Sequence, residues 1–178
     1  FYNDGDAADG FTITGRGGNT SWGVSYFDHR TGADITTSVT GTGWTTPSLP
    51  PRAYCWVRVE VTAAARLSAG RVASLLIAAT SVGDGDKRDA VKAITTCALT
   101  RRPDALILSS GTYIGDDIYN TSGAGQTCSS TAPAGSPATY LVRACNDGNE
   151  QDSFLITGRP GDQSWGCLLY TSPSPRDS

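Results

Sequence analysis

Apolar and polar residues alternate along several short stretches of this chain. The clearest stretch is residues 57–62, VRVEVT, in which valine occupies every second position. A period of two predicts a β-strand with one buried and one solvated face. Comparable stretches predict further strands at residues 11–15, 22–27, 35–40, 72–80, 90–96, 105–109, 126–132, 138–144 and 154–158.

Turn-forming residues separate these stretches. Gly, Asn, Asp and Pro cluster at residues 3–5 (NDG), 83–86 (GDGD), 133–135 (PAG) and 146–148 (NDG). Such residues supply the backbone geometry that tight turns need. Short strands joined by turns predict an all-β chain, folded as an antiparallel β-sandwich.

The chain also contains an internal repeat. Residues 1–23 align without a gap to residues 144–166, and 13 of the 23 positions are identical, which gives a period of 143 residues. The repeat indicates a tandem architecture. The identical positions combine turn formers with alternating apolar residues and include Asn3/Asn146, Asp4/Asp147, Gly5/Gly148, Asp9/Asp152, Phe11/Phe154, Ile13/Ile156, Gly15/Gly158 and Trp22/Trp165.

The similarity between the two copies stops after residue 166. The following segment, CLLYTSPSPRD, resembles the translation of a transposase adapter used in preparing sequencing libraries. We therefore expect residues 167–178 to be a non-native tail. A native Pro/Ser-rich linker is the alternative, and neither interpretation gives the tail a function.

Most of residues 1–166 resembles the immunoglobulin-like tandem repeats of very large bacterial surface and secreted proteins. The resemblance implies an immunoglobulin-like sandwich and an extracellular or cell-surface location, but no particular ligand or activity. It is carried by WGVSYFD (22–28), ADITTSVTGTGW (33–44), VRVEVT (57–62), ATSVGDGDKRDAVKA (79–93), RPDALI (102–107), GDDIYN (115–120), GQT (125–127), YLVRACNDG (140–148) and DSFLITG (152–158).

In such repeats RPDALI resembles the beginning and DAVKA the end, so the chain is out of phase with its repeat. We expect residues 1–100 to hold the later strands of one repeat and residues 101–166 the early strands of the next. An incomplete sandwich exposes strand edges that pair with other strands. Residues 101–166 then either close the first repeat as a circular permutant or complete another copy head to tail, which generates a filament.

Charge and hydropathy argue against two classes of partner, nucleic acids and membranes. The net charge is −3 and no basic cluster exceeds Arg101-Arg102, so we expect no nucleic-acid partner. The longest apolar run, residues 72–80, is far shorter than the roughly 20 residues of a membrane-spanning helix, so we expect no membrane insertion.

Cysteines give a second indication of location. Cys55, Cys97, Cys128 and Cys145 lie outside the tail, and this even count is typical of an oxidising compartment. A Cys128–Cys145 disulfide across one hairpin is our preferred pairing, with free thiols as the alternative. No Cys-x-x-Cys spacing occurs, so structural zinc is not expected.

Acidic turns and sequons are the remaining candidate sites. The oxygen-rich spacing of the acidic turns suits Ca²⁺, although tight turns require the same residue types. Two Asn-x-Ser sequons, at Asn19 and Asn120, are candidate N-glycosylation sites in predicted loops. The candidate Ca²⁺ ligands are Asp4, Asp6, Asp9, Asp84, Asp86 and Asp89.

Catalytic chemistry finds little support in the sequence. His29 is the only histidine and lies in a predicted turn, so we interpret it as a solvated turn residue and expect no enzyme activity. We predict a structural repeat of an extracellular fibre whose partners are copies of itself or neighbouring repeats. The alternative is an adhesin or carbohydrate-binding accessory module that binds glycans, which a row of exposed Trp or Tyr on one sheet face would favour.

Overall fold

The chain divides into two compact units, as seen in a computed structural model that describes residues 1–170. Unit 1 contains Phe1–Arg102 together with Asp147–Glu150. Unit 2 contains Pro103–Asn146 together with the residues from Gln151 onward. The boundary after Arg102 lies close to residues 100 and 101, where the sequence predicts one repeat to give way to the next.

The regular secondary structure of the described residues is almost entirely β-strand. Every strand pair is antiparallel, which confirms the predicted all-β class with antiparallel sheets. The elements are β1 (Phe11–Gly15), β2 (Trp22–Asp28), α1 (Thr36–Thr40), β3 (Trp44–Thr45), β4 (Val57–Ala63), β5 (Val72–Ser81), β6 (Arg88–Thr96), β7 (Pro103–Ser109), β8 (Thr112–Ile114) and β9 (Val142–Asn146).

Unit 1 is built from a four-stranded sheet, β3-β1-β5-β6, and a two-stranded sheet, β2-β4. Alternation along β4 turns its three valines inward, where they pack against a core that both sheets and α1 supply. This burial is the main favourable term holding the two layers together. The core residues are Ile13, Val24, Tyr26, Ile35, Val39, Leu75, Ile77 and Ala79.

Tyr26 joins the two sheets of unit 1. Its side chain is fully buried, and its Oη donates a hydrogen bond to the Arg16 carbonyl oxygen at 2.8 Å. A Cβ atom at Gly15 would lie 2.5 Å from Tyr26 Oη. Because that distance is well below van der Waals contact, β1 needs a glycine where the Tyr26 ring crosses it.

Residues 35–40, predicted as a strand, instead contain the helix α1. Ile35 and Val39 are four residues apart, which places both on one face of a helical turn. They are 8% and 1% exposed, so this face packs into the core. Thr36 Oγ1 also accepts a hydrogen bond from the Tyr26 N–H at 2.8 Å. The strand prediction was wrong because the two apolar residues follow helical spacing.

Unit 2 contains one three-stranded sheet, β8-β7-β9. Its strand β9 lies a few residues beyond the predicted strand at 138–144, because β9 pairs with β7 from Ile107↔Val142 to Pro103↔Asn146. The strand predicted at 126–132 does not form, and these residues lie in a loop. Within that loop Thr127 Oγ1 donates a hydrogen bond to the Gly123 carbonyl oxygen at 2.8 Å.

The strand predicted at residues 154–158 does not form either. Its equivalent in unit 1 is β1, which lies between β3 and β5. Among the described residues, unit 2 holds no equivalent of those two strands, and a single strand is not stable without partners. Of the predicted tail, Cys167–Tyr170 are exposed, and residues 171–178 lie outside the described residues.

The segment Asp147–Glu150 returns to unit 1 after β9. The Thr100 N–H donates to Asn149 Oδ1 at 2.8 Å, and Asn149 Nδ2 donates to the Ala98 carbonyl oxygen at 2.8 Å. The Asn149 side chain therefore holds the chain that follows β9 against the end of unit 1.

Candidate functional site: a strand edge and an exposed aromatic row

The first three residues of unit 1 pair with the segment that precedes β4. The Phe1 amino group donates to the Cys55 carbonyl oxygen at 2.9 Å, and the Asn3 N–H donates to the Ala53 carbonyl oxygen at 2.8 Å. In an antiparallel pair, the backbone groups of the residue between two bonded positions point the other way. Among residues 1–170, no strand pairs with that other side of Tyr2, which is therefore a sheet edge.

Asn3 anchors this edge. It is 3% exposed, and its Nδ2 donates to the Leu49 carbonyl oxygen at 2.8 Å and to the Ala7 carbonyl oxygen at 2.9 Å. Its Oδ1 accepts from the Gly5 N–H at 3.0 Å. These bonds satisfy a polar side chain that would otherwise be costly to bury.

Aromatic side chains line the outer face of the same edge. Tyr2 lies directly opposite Tyr54, and the Tyr54 and Trp56 rings stack with their centroids 5.4 Å apart. The three are 52%, 58% and 58% exposed, in that order. The His29 ring extends the row, with its centroid 5.2 Å from that of Trp56. A contiguous group of exposed rings is typical of a binding surface.

His29 itself is an exposed residue of the turn that follows β2. Its backbone N–H donates to the Trp56 carbonyl oxygen at 3.2 Å. The neighbouring Asp28 carboxylate accepts from Thr31 Oγ1 at 2.8 Å and from the Arg30 N–H at 3.0 Å. The Thr31 hydrogen bond is the main reason that the pKa of Asp28 is lowered. Asp28 thus organises this turn.

The two acidic clusters do not assemble the predicted Ca²⁺ site. Among residues 1–170, no three His, Cys, Asp or Glu side chains come close enough together to hold a metal ion. The carboxylates of Asp9, Asp84 and Asp89 accept hydrogen bonds from nearby N–H or O–H groups instead. This correction applies to Asp4, Asp6, Asp9, Asp84, Asp86 and Asp89.

Asp9 shows how such a carboxylate is used. It accepts hydrogen bonds from Ser81 Oγ, from the Gly83 N–H at 3.0 Å and from the Gly10 N–H at 2.8 Å. The Ser81 bond comes first among the causes that lower the pKa of Asp9. Asp84 Oδ1 similarly accepts from a backbone N–H two residues later, at 3.1 Å. Asp9 thereby links the chain before β1 to the turn after β5.

The predicted disulfide between Cys128 and Cys145 is not formed, because all five cysteines are thiols. Cys145 lies on β9, whereas Cys128 lies in a loop, since the strand predicted at 126–132 is absent. No hairpin therefore holds the two sulfur atoms opposite each other. Burial of the Cys55 side chain raises the pKa of its thiol.

Both sequon asparagines are exposed and lie in loops, as predicted. Asn19 Oδ1 accepts from the Trp22 N–H at 2.9 Å, and Asn120 Oδ1 accepts from the Gly123 N–H at 2.8 Å. Each side chain shapes its own turn. Glycosylation of Asn19 and Asn120 stays a prediction.

One buried polar group was not found from the sequence. Asp104, on β7, is 1% exposed; its Oδ2 accepts from the Asp117 N–H at 3.3 Å. Its Oδ1 has no hydrogen-bond partner among the described residues. A lone aspartate beside a proline gives no signal in the sequence that it will be buried.

The two copies of the repeat differ sharply in exposure. In the first copy Ile13 is 0% and Trp22 is 7% exposed, whereas their equivalents Ile156 and Trp165 are 52% and 70% exposed. Leu155 is 91% exposed. The same sequence pattern is therefore a buried part of the sandwich in unit 1 and an exposed apolar segment in unit 2.

Comparisons with protein-family models, with curated proteins and with solved structures found no match to this chain. In the part of the chain that the structure describes, no helix is both long enough and apolar enough to cross a membrane.

Proposed function

We propose that this chain is a structural repeat of an extracellular fibre, in which each immunoglobulin-like sandwich is completed by strands from a neighbouring repeat or copy. The observation that carries the proposal is the second copy of the repeated segment. It retains the sequence that forms β1 and begins β2 in unit 1, but within residues 1–170 unit 2 supplies no flanking strands, and Leu155, Ile156 and Trp165 are exposed.

The energetics favour completion of this segment by another chain. Burying a side chain such as Ile156 contributes about 1.5–3 kcal/mol relative to leaving it exposed. The equivalent of Ile156 in unit 1, Ile13, reaches full burial between strands β3 and β5. In another copy the segment would take the place of β1 between β3 and β5 and be buried in the same way. Repetition of this contact adds copies in a line.

Electron microscopy of the full chain tests the proposal. We expect beaded filaments whose length increases with protein concentration. The variant Ile156→Asp should shorten or abolish them, because a carboxylate would be buried at the completed strand. Leu169→Asp is the matched control, since Leu169 is 58% exposed and lies outside the repeat. Discrete monomers of the unmodified chain at every concentration would contradict the fibre role.

The exposed aromatic row supports a second candidate, a carbohydrate-binding or adhesin module. Tyr54 and Trp56 present stacked, exposed rings that match the flat apolar faces of sugar rings. A glycan panel tests this candidate. Trp56→Ala should abolish binding, whereas Tyr140→Ala, at a tyrosine 43% exposed in unit 2, should leave it intact. Absence of any glycan binding by the unmodified chain would refute it.

A further inference from the structure

The segment that begins the repeat pairs with another segment in both copies, but it hydrogen-bonds through a different edge in each. In the first copy, Phe1 and Asn3 bond to the segment Ala53–Cys55. In the second copy, their equivalents Ala144 and Asn146 belong to β9, which pairs with β7.

The residues of β9 that hydrogen-bond to β7 are not the equivalents of Phe1 and Asn3 but the residues that alternate with those equivalents. The Leu108 N–H donates to the Leu141 carbonyl oxygen at 2.9 Å, and the Asp147 N–H donates to the Arg102 carbonyl oxygen at 2.9 Å. Odd-numbered residues of this strand therefore point their backbone groups toward β7, and Ala144 points its own to the opposite edge. One strand can thus pair with β7 on one side and with Ala53–Cys55 on the other.

We propose that β9 of one copy takes, in a second copy, the place that Phe1–Asn3 holds beside Ala53–Cys55. The sheet of unit 2 then joins the smaller sheet of unit 1 as one antiparallel sheet in the order β8-β7-β9-β4-β2. The partner is a second copy of this chain. This inference rests on the fibre proposal and specifies the edge through which the copies join.

The apolar faces of the two sheets agree with this junction. Residues opposite each other in an antiparallel pair share a face, so Ala105, Ile107, Val142 and Ala144 lie on one side of the β7–β9 pair. Val142, on this apolar face, is 64% exposed. In the joined sheet Ala144 replaces Phe1, which packs against the core of unit 1. The exposed apolar face of unit 2 would therefore continue the inner face of β4.

Unit 1 has an uncovered area on the facing sheet. Val91, on the edge strand β6, lies opposite Ile77 and shares its inner face. Ile77 is 3% exposed, but Val91 is 55% exposed. An added sheet that covered β6 would bury Val91 in one layer with Val142.

The anchor of the edge is also repeated. Asn3 is identical to Asn146, and each is followed by Asp-Gly. Asn146 can therefore form the hydrogen bond that Asn3 makes to the Leu49 carbonyl oxygen. Because the incoming strand replaces the bonds of Phe1–Asn3 with the same kinds of bond, the exchange leaves no backbone group of Ala53–Cys55 unsatisfied.

Sedimentation velocity of the full chain tests the face argument. We expect self-association, and we expect Val142→Asp to move its midpoint to at least about tenfold higher concentration, because the new carboxylate would face the joined core. Leu141→Asp is the matched control: Leu141 is 54% exposed and its neighbouring position places it on the opposite face. Equal midpoints for the two variants would overturn the proposed junction.

A cross-link tests the register. Cys145 occupies the position of Tyr2, so in the joined sheet it lies opposite Tyr54. With the other four cysteines replaced by serine, oxidised Tyr54→Cys should form a disulfide-linked dimer between Cys145 and the new thiol at position 54. Glu60→Cys, farther along the same face of β4, should not.

The two proposals fail in distinguishable ways. If the chain forms oligomers whose association midpoint is unchanged by Val142→Asp, and if no cross-link forms at position 54, the proposed junction is wrong but the fibre proposal stands. A chain that stays monomeric at all concentrations and gives no cross-link would overturn both.

Discussion

Replacing Gly15 by alanine should destabilise unit 1 by about 1–3 kcal/mol. The added Cβ would lie 2.5 Å from Tyr26 Oη and 2.8 Å from Cζ, so the buried ring must move. Overpacking of this kind costs about 1–3 kcal/mol, and loss of the hydrogen bond from Tyr26 to Arg16 costs about 0.5–1.5 kcal/mol. The lower entropy of the unfolded alanine chain returns about 0.4–1 kcal/mol.

Gly158 provides the matched control for this prediction. It is the equivalent of Gly15 in the second copy, and a Cβ there would meet no atom within 4 Å. Urea unfolding followed by tryptophan fluorescence reports on unit 1 through Trp22, which is 7% exposed. We expect a lower midpoint with an unchanged slope for Gly15→Ala alone. If the two alanine variants unfold at the same midpoint, the close approach of Tyr26 to β1 does not constrain this position.

Three further predictions concern the same unit. Burial raises the pKa of Tyr26 above 10.0. The stability that its neutral form contributes is therefore complete below pH 10 and is lost as the pH rises through the folded pKa. Unfolding measurements on Tyr26→Phe should not show this loss of stability at alkaline pH. The pKa of Asp9 is below 3.8, so its contribution is present above pH 3.8 and lost as the pH falls through the folded pKa. Ser81→Ala should move that pKa toward 3.8 in an NMR titration, and an unchanged value would refute the role of the Ser81 hydroxyl. Val39→Ala should cost roughly 1–3 kcal/mol, since its side chain is 1% exposed; a loss below about 0.5 kcal/mol, the usual scale of surface substitutions, would contradict its place in the core.

The sequence predicted those strands best whose partners lie in the same unit. β4 alternates clearly, β5 is a nearly continuous apolar run, and each forms a long antiparallel pair, with β2 and with β6 respectively. Residues 154–158 have the same strand pattern as β1, but no strand forms, because a local pattern carries no information about missing neighbours. Alternation was also misleading at α1, where only two apolar residues decide between a strand and a helical turn.

The candidate site was less accessible to prediction than the fold. Tyr2 and Tyr54 are adjacent only because residues distant in sequence pair, and no local pattern fixes that register. The acidic turns were predicted as Ca²⁺ ligands because Asp suits both metal coordination and turn geometry. Their surroundings decide between the two, since Asp9 uses its oxygens for Ser81 and for backbone N–H groups.

The Asn149 contact has a consequence for proteolysis. Residues 115–141 connect β8 to β9 without a strand of their own, and a protease that cuts there produces two fragments. The second fragment would still hold β9 against β7 and the Asn149 side chain against Thr100 and Ala98. A single cut in this connection should therefore leave a nicked protein whose pieces separate only on denaturation.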